Sequence, residues 1–454
     1  MHLPERMAGS FRDPECYVAI AEDTFLRVAT GLTGEVLSDP AVRALLDRLV
    51  ARGRLIGFEP IASSDATVLR VETIPFISYP YEWSFEMLRD AALVHLDLQI
   101  ELLDADLILK DASPYNVQFR QCRPLFIDLG SIARYVPGQP WAAYSQFCQL
   151  FLNPLLLSSI LSVPFQPFLR ASLDGIPPAT LARLLPMHRR WLPPALTHVT
   201  LQAFLNRHSS AVGNATDSRT MTVPKTAMRR QFERLRGTVV GLSRPSGTSN
   251  WSTYTNDGVH STEYVQAKSE VVRSIVTRAH PEFVWDLGSN TGRFAQIAGE
   301  SASHVVAIDS DESCIDAMYV AHRSTASDIL PLVVDVLNPS PAQGWFGTER
   351  TAFFARGRRD FFLALALTHH VCVSGHVPLD EWARFLSTIG RRGIVEFVPT
   401  DDPMFRKLVQ WRSPEGIHPY GQAAFEAAIR THFRVVTTSV LPGSGRVLYF
   451  VESD

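Results

Sequence analysis

The stretch Phe283-Val-Trp-Asp-Leu-Gly-Ser-Asn-Thr-Gly-Arg-Phe-Ala295 decides how the second half of this chain is read. An apolar run ends in Asp286, a turn with Gly288 and Gly292 follows, and a helical pattern starts at Arg293. A strand, a glycine-bearing turn and a helix in that order let a nucleotide-like ligand approach the backbone closely, because glycine accepts left-handed conformations and carries no Cβ. The spacing is D-x-G-x-x-x-G. It is neither the G-x-G-x-x-G of dinucleotide enzymes nor a G-x-x-x-x-G-K-[ST] phosphate loop.

The runs that follow sharpen this reading. His304-Val-Val-Ala-Ile-Asp309 reads as a second buried strand ending in a carboxylate, 23 residues after Asp286, about one strand–helix–strand step. An acid at that place can accept both hydroxyls of a ribose. A third apolar run, Ile329-Leu-Pro-Leu-Val-Val-Asp335, ends in another acid, and a fourth, Asp360-Phe-Phe-Leu-Ala-Leu-Ala-Leu367, runs into Thr368-His369-His370. Gly393-Ile-Val-Glu-Phe-Val398 reads as strand five, and Leu441-Pro-Gly-Ser-Gly445 joins two further apolar segments into a closing hairpin.

This series, over roughly the last 200 residues, resembles the class I S-adenosylmethionine-dependent methyltransferases. The resemblance implies an α/β, Rossmann-like domain with a mostly parallel seven-stranded sheet whose last strand is antiparallel. It implies S-adenosyl-L-methionine as cofactor, with the glycine turn around the methionine part, the acid after strand two on the ribose and the acid after strand three near the adenine. Those roles fall on Asp286, Gly288, Asn290 and Gly292, on Asp309, and on Asp335. Trp251, Tyr254 and Tyr264 precede the first strand and are placed to close over the cofactor, or simply to pack. The plainer alternative is a non-catalytic domain whose acids cap helices.

Composition bounds the rest. A chain of 454 residues, 46% hydrophobic and 20% charged, has room for two or three soluble domains. A net charge of −3 gives no general attraction to nucleic acid or to an anionic membrane. The apolar stretch 147–163 is interrupted by Gln149, Asn153, Pro154 and serines, which speaks against a membrane span. The N-terminus has no apolar signal core. Five cysteines without a C-x-x-C pair suit a reducing cytoplasm and no structural zinc. The expected partner is a small molecule, with a homodimer left open.

The chain divides into residues 1–205, a linker at 206–250 and the methyltransferase domain at 251–454. In the first region Asp39 caps a helix that stops at Gly53, and 84–100 is a longer amphipathic helix. Leu107-Ile-Leu109 and Pro124-Leu-Phe-Ile127 read as a hairpin around Arg120-Gln-Cys-Arg123, and 141–170 as helix broken by Pro154 and Pro164. Within the linker, Met228-Arg-Arg-Gln-Phe-Glu-Arg-Leu-Arg236 is a basic helix, read as a solvated face. Lys110-Asp111-Ala-Ser-Pro-Tyr-Asn116 with Phe126-Ile-Asp128-Leu-Gly130 resembles the catalytic core of protein and aminoglycoside kinases, with the acceptor-side acid at Asp111 and the metal-holding groups at Asn116 and Asp128. No lysine precedes Lys110 and no glycine-rich loop of the required form is present, so the kinase-like region is expected not to transfer phosphate. An Arg can supply the missing positive charge with a different geometry. The layout of the whole chain resembles a group of bacterial methyltransferases related to nodulation proteins and found in specialised metabolism, including antibiotic biosynthesis. It also resembles the free-arginine N-methyltransferase of streptozotocin biosynthesis.

Methyl transfer from a sulfonium needs an acceptor lone pair held in line with the methyl group, and a base if the acceptor is protonated. The expected acceptor side offers His369 and His370 after strand four and Glu396 within strand five, with Asp401 and Asp402 beyond it. A carboxylate in an apolar strand is costly unless paired. A cationic acceptor such as an amine or the guanidinium of free L-arginine would pair Glu396, and so would a neighbouring Arg. N-methylation through Glu396, O-methylation through His370, and a cofactor-sensing or carrier-binding protein without turnover are the three readings carried forward.

Overall fold

A computed structural model of the chain describes residues 5–21, 24–191, 193–204, 222–245, 262–325, 327–411 and 418–453. The chain forms two compact units. Unit 1 is Met1–Ser246 with Ala342–Arg350, and unit 2 is Gly247–Pro341 with Thr351–Asp454.

Unit 1 holds a four-stranded antiparallel sheet of β1 (Cys16–Ala21), β2 (Thr24–Ala29), β3 (Phe58–Ile61) and β4 (Thr67–Val71), in the order β1-β2-β4-β3. The Asp39 carboxylate accepts from the Ala41 N–H at 2.8 Å and starts the helix Pro40–Ala51, where proline at the first position loses no needed donor. The helix Phe85–Asp104 is largely buried, with His95 ringed by Phe126, Trp141, Phe147 and Phe151. Burial pushes the His95 imidazole down to about 3, so it is a neutral core residue at physiological pH.

Three local expectations are corrected in unit 1. β6 (Val117–Arg120) pairs with β7 (Arg123–Phe126) around Gln121-Cys122, whereas β5 (Leu107–Leu109) pairs with β8 (Ile132–Arg134). A two-residue turn closes its hairpin locally, which leaves the earlier segment to find a later strand. Pro154 does not break its helix. A widened turn at Cys148–Leu152 precedes it, and the helix Asn153–Leu161 continues past it, since the looser winding makes room where proline has no N–H to give. The basic helix Lys225–Val240 keeps Arg230, Arg234 and Arg236 on an exposed face, as expected, but it belongs to unit 1 and not to a linker. It buries Met228, Phe232, Leu235 and Val239, sets Phe232 edge-on to Trp141 at 5.0 Å, and pairs Arg236 with Asp97 at 2.5 Å. The rest of the expected linker lies outside the described residues.

Unit 2 is built on β9 (Phe283–Leu287), β10 (His304–Asp309), β11 (Ile329–Val333), β12 (Asp360–Ala364), β13 (Gly390–Phe397), β14 (Arg434–Val440) and β15 (Val447–Glu452). They form a seven-stranded sheet in the order β11-β10-β9-β12-β13-β15-β14. The pairs among β9 to β13 are parallel, and β15 runs antiparallel to both β13 and β14. Every residue of β9 is buried, as a strand covered on both faces requires. The order reverses at β9, so β10 and β12 diverge from its carboxyl end and open a crevice there. Among the described residues, no helix is long and apolar enough to cross a membrane.

Candidate active site

The crevice is a cavity of about 470 Å³ at the carboxyl ends of β9 to β12. Its floor is the turn after β9. Gly288 and Gly292 have φ of +70° and +87°, and Asn290, one of the few residue types that tolerate this region, has +50°. At φ +87° Gly292 holds a conformation that strains any L side chain, and a Cβ there would also press the Met318 sulfur at 2.8 Å. The Gly288 and Ser289 N–H groups donate to the Ile308 carbonyl at 2.9 Å, which ties the turn to the end of β10.

Asp309, at that end, accepts from the Asn290 N–H at 2.8 Å and the Asp311 N–H at 2.9 Å. Each carboxylate oxygen keeps a further lone pair for a ligand. Burial raises the Asp309 carboxyl above its usual range, against the pull of these backbone donors. Asp286 is buried, with Oδ2 lacking any hydrogen-bond partner, and burial followed by the Asp309 charge pushes its carboxyl up to about 7. Asp335 also lines the cavity and fixes its own loop by accepting from the Leu337 N–H at 2.9 Å. Asp286, Gly288, Asn290, Asp309 and Asp335 therefore share one cavity, with Gly292 setting the shape of its floor. Tyr254 and Trp251 lie outside the described residues.

The acceptor-side expectations are redistributed. Glu396 is fully buried and does not line the cavity. Its carboxylate accepts from the Lys268 ammonium at 2.5 Å, the Tyr264 hydroxyl at 2.8 Å and Arg446 Nη1 at 3.5 Å. Burial alone would raise it, but the charges of Lys268 and Arg446 outweigh burial and hold it at about 2. Asp402 is occupied too. It accepts from Arg446 Nε at 2.8 Å and Nη2 at 3.1 Å, a two-point pairing. His369 is buried behind the wall, with Nδ1 unpartnered, while the adjacent His370 lines the cavity. Burial and then the Arg446 charge push His370 down to about 4, so its imidazole is neutral at physiological pH.

Sequence reasoning allowed for a neighbouring Arg at Glu396 without identifying Arg446, and it missed Lys268. Lys268 is one turn after Tyr264 on the helix Thr262–Ala279, and Arg446 ends the turn between β14 and β15. The signal was the apolar strand around Glu396, which demanded a cation but did not place it in the sequence.

In unit 1, Asp111 and Asn116 meet, with Asn116 Nδ2 donating to Asp111 Oδ2 at 3.0 Å. Asp128 is paired with Arg27 of β2 at 2.8 Å, and the same guanidinium donates to the Ile127 carbonyl at 3.2 Å. Among the described residues no group of three or more His, Cys, Asp or Glu is placed to hold a metal ion.

No family model matches the chain. Among solved structures it is similar to the N-methyltransferase NodS from Bradyrhizobium japonicum WM9, at 9% identity over 42% of this chain and 97% of that one, with a TM-score of 0.32. It is also similar to magnesium protoporphyrin IX methyltransferase from Synechocystis PCC 6803, at 16% identity over 49% and 94%, with a TM-score of 0.30. A bifunctional kinase-methyltransferase, WbdD, is similar at 18% identity over 44% and 41%, with a TM-score of 0.30. These are partial likenesses, and the fold described above rests on the strand order of this chain itself. Among curated proteins, the nodulation protein NoeA of Rhizobium meliloti strain 1021 is 37% identical over 462 residues, covering 99% of this chain and 96% of that protein. At that identity over its full length, the chain belongs to the NoeA nodulation-protein family.

Proposed function

We propose that unit 2 binds S-adenosyl-L-methionine and methylates a small molecule. The observation that carries this reading is the cavity at the switch point of the sheet, where a left-handed glycine turn and three strand-end carboxylates face one ligand-sized space. The residues fit the cofactor. Asp286 Oδ2 is a buried acceptor in need of a donor such as an ammonium, Asp309 has lone pairs for hydroxyls, and the glycines leave the approach open. When bound, the cofactor supplies an electrophilic methyl group on a sulfonium.

The chain's part is to align the acceptor and accept its proton. His370 is the side chain suited to that task, because its imidazole is neutral and lines the cavity. Glu396 is a positioning residue in this reading, holding Lys268 and Tyr264 rather than the acceptor. The idea that Glu396 pairs the guanidinium of an acceptor thus loses its support, and free L-arginine enters only as one amine-bearing acceptor to try beside hydroxyl-bearing ones. Transfer of an isotope-labelled methyl group to such acceptors tests the activity. Tight cofactor binding with no turnover over a broad acceptor set would favour a sensor instead.

Unit 1 we read as a kinase-like domain without phosphoryl transfer. The support is the Arg27–Asp128 pair, which already balances the charge that a metal would need. Acceptor-dependent ATP consumption that Asp128→Ala abolishes would overturn this.

A further inference from the structure

One stretch of unit 1 departs from the charge balance of the chain. Asp and Glu make up 46 of the 454 residues, yet none occurs from Gly175 to Thr216, where four arginines stand. The net charge of −3 belongs to the whole chain and hides this basic stretch. Three short helical pieces form in it, Pro178–Leu184, Met187–Arg190 and Leu196–Thr200. Their inner side is apolar, with Leu181, Leu185, Ala195 and Val199 buried. Arg190 ties the pieces together. Its guanidinium donates to the Leu185 carbonyl at 2.8 Å and the Arg183 carbonyl at 3.2 Å, and its own carbonyl accepts from the Thr200 hydroxyl at 2.9 Å.

The outer side is apolar as well. Leu184, Met187, Trp191 and Leu201 are 44%, 67%, 62% and 50% exposed. The helix Met187–Arg190 buries none of its residues, and Met187 and Trp191, four apart, lie on one side of it. Arg183 and Arg189 stand exposed among these side chains, and among the described residues neither guanidinium has an ion-pair partner. The groups packed around them add no negative charge. Asp174, the acid just ahead of the stretch, acts on Arg12. The helix Asn153–Leu161, against which Pro178–Leu184 packs, carries no charged residue. His198 meets the Tyr144 hydroxyl at 2.8 Å, and burial pushes its imidazole down, which keeps it neutral at physiological pH. Single exposed apolar residues are ordinary, but large apolar tips set among unpaired arginines suit a lipid headgroup layer. There the tips reach the acyl boundary, the guanidiniums meet phosphates, and a Trp keeps its ring in the apolar zone and its N–H in the polar one.

We propose that this lobe docks peripherally on an anionic membrane surface, through Leu184, Met187, Trp191 and Leu201 with Arg183 and Arg189. The inference does not depend on the methyltransferase reading, since every residue in it belongs to unit 1.

Co-sedimentation of the full chain with vesicles tests it. One set of vesicles is phosphatidylcholine alone, the other phosphatidylcholine with an equal part of phosphatidylglycerol. Wild type should bind the anionic vesicles about tenfold or more better than the neutral ones, and added salt should weaken that binding. Met187→Ser with Trp191→Ser removes apolar tips, and Arg183→Gln with Arg189→Gln removes the cations. Each pair should lower binding to the anionic vesicles by about fivefold or more. Arg183→Lys with Arg189→Lys keeps the charge and should keep most of the binding, which separates loss of charge from loss of fold. Wild type that does not bind the anionic vesicles, that binds both sets alike, or whose binding survives either pair of Ser or Gln substitutions overturns the proposal. A dimer in light scattering that Met187→Ser with Trp191→Ser dissociates, in the absence of vesicle binding, also overturns it and assigns the face to a second copy of the chain.

Discussion

Glu396→Gln tests how much of unit 2 depends on one buried ion network. The substitution keeps the shape of the side chain and its contact with the Tyr264 hydroxyl, but removes the charge that balances Lys268 at 2.5 Å. Burial lowers the affinity of Lys268 for its proton, only partly offset by Glu396, so without the carboxylate the ammonium is stranded or must deprotonate. Breaking a buried pair from one side costs about 3–5 kcal/mol. Acid titration gives a similar size. A carboxyl held at about 2 instead of its ordinary 4.5 contributes about 3 kcal/mol at neutral pH. The sign follows from the depressed value: this stability is fully present above pH 4.5 and is lost as pH falls through about 2. Thermal melting at pH 7 should show unit 2 unfolding roughly 6–20 °C lower in the variant. Adding Lys268→Met should restore at least half of the loss, since no stranded charge remains. A melting shift under about 2 °C, or a double variant as unstable as the sum of its singles, would refute the network's role.

Further outcomes follow from the same geometry. Gly288→Val should abolish S-adenosylhomocysteine binding, because a β-branched residue is strained at φ +70° and its Cβ would press on Leu367 at 3.2 Å; calorimetry on a folded variant checks this. Asp309→Ala should weaken that binding by about 1.5–3 kcal/mol through the lost charged hydrogen bonds, and unchanged affinity would remove Asp309 from the site. With His370 down at about 4, kcat/KM should not vary with His370 protonation between pH 6 and 8 and should fall with acid only as pH approaches about 4; a fall centred near 6.5 and absent in His370→Gln would contradict the buried, neutral imidazole. Asp128→Ala should destabilise unit 1 by about 1–3 kcal/mol, by leaving the partly buried Arg27 without its carboxylate, while cofactor affinity stays unchanged; a loss of cofactor binding would contradict the independence of that pair.

How legible each part was depends on how local its cause is. The turn from Asp286 to Gly292 and the strand-end acids Asp309 and Asp335 could be read directly, because each is fixed by residues within one strand–turn–helix step. The antiparallel β15 followed from a hairpin turn between two apolar segments. Glu396 was singled out for a sound reason, but its partners Lys268 and Arg446 lie 128 and 50 residues away, a distance that no spacing rule spans. The pairing of β5 with β8 was hidden for the same reason, since the tighter β6–β7 hairpin lies between them. The helix Lys225–Val240 read as linker because its arginines, which do lie on an exposed face, dominate its composition, yet its apolar side chains recur at helical spacing and are buried within unit 1. Nothing local announced that Ala342–Arg350 would leave unit 2 and complete unit 1, where Arg350 lies 4.2 Å over the Tyr115 ring.

The most direct test of the central claim is calorimetric titration of the full chain with S-adenosylmethionine. The account predicts saturable binding at one site per chain, lost in Gly288→Val. Absence of binding by folded wild type, or binding that Gly288→Val leaves intact, would contradict it.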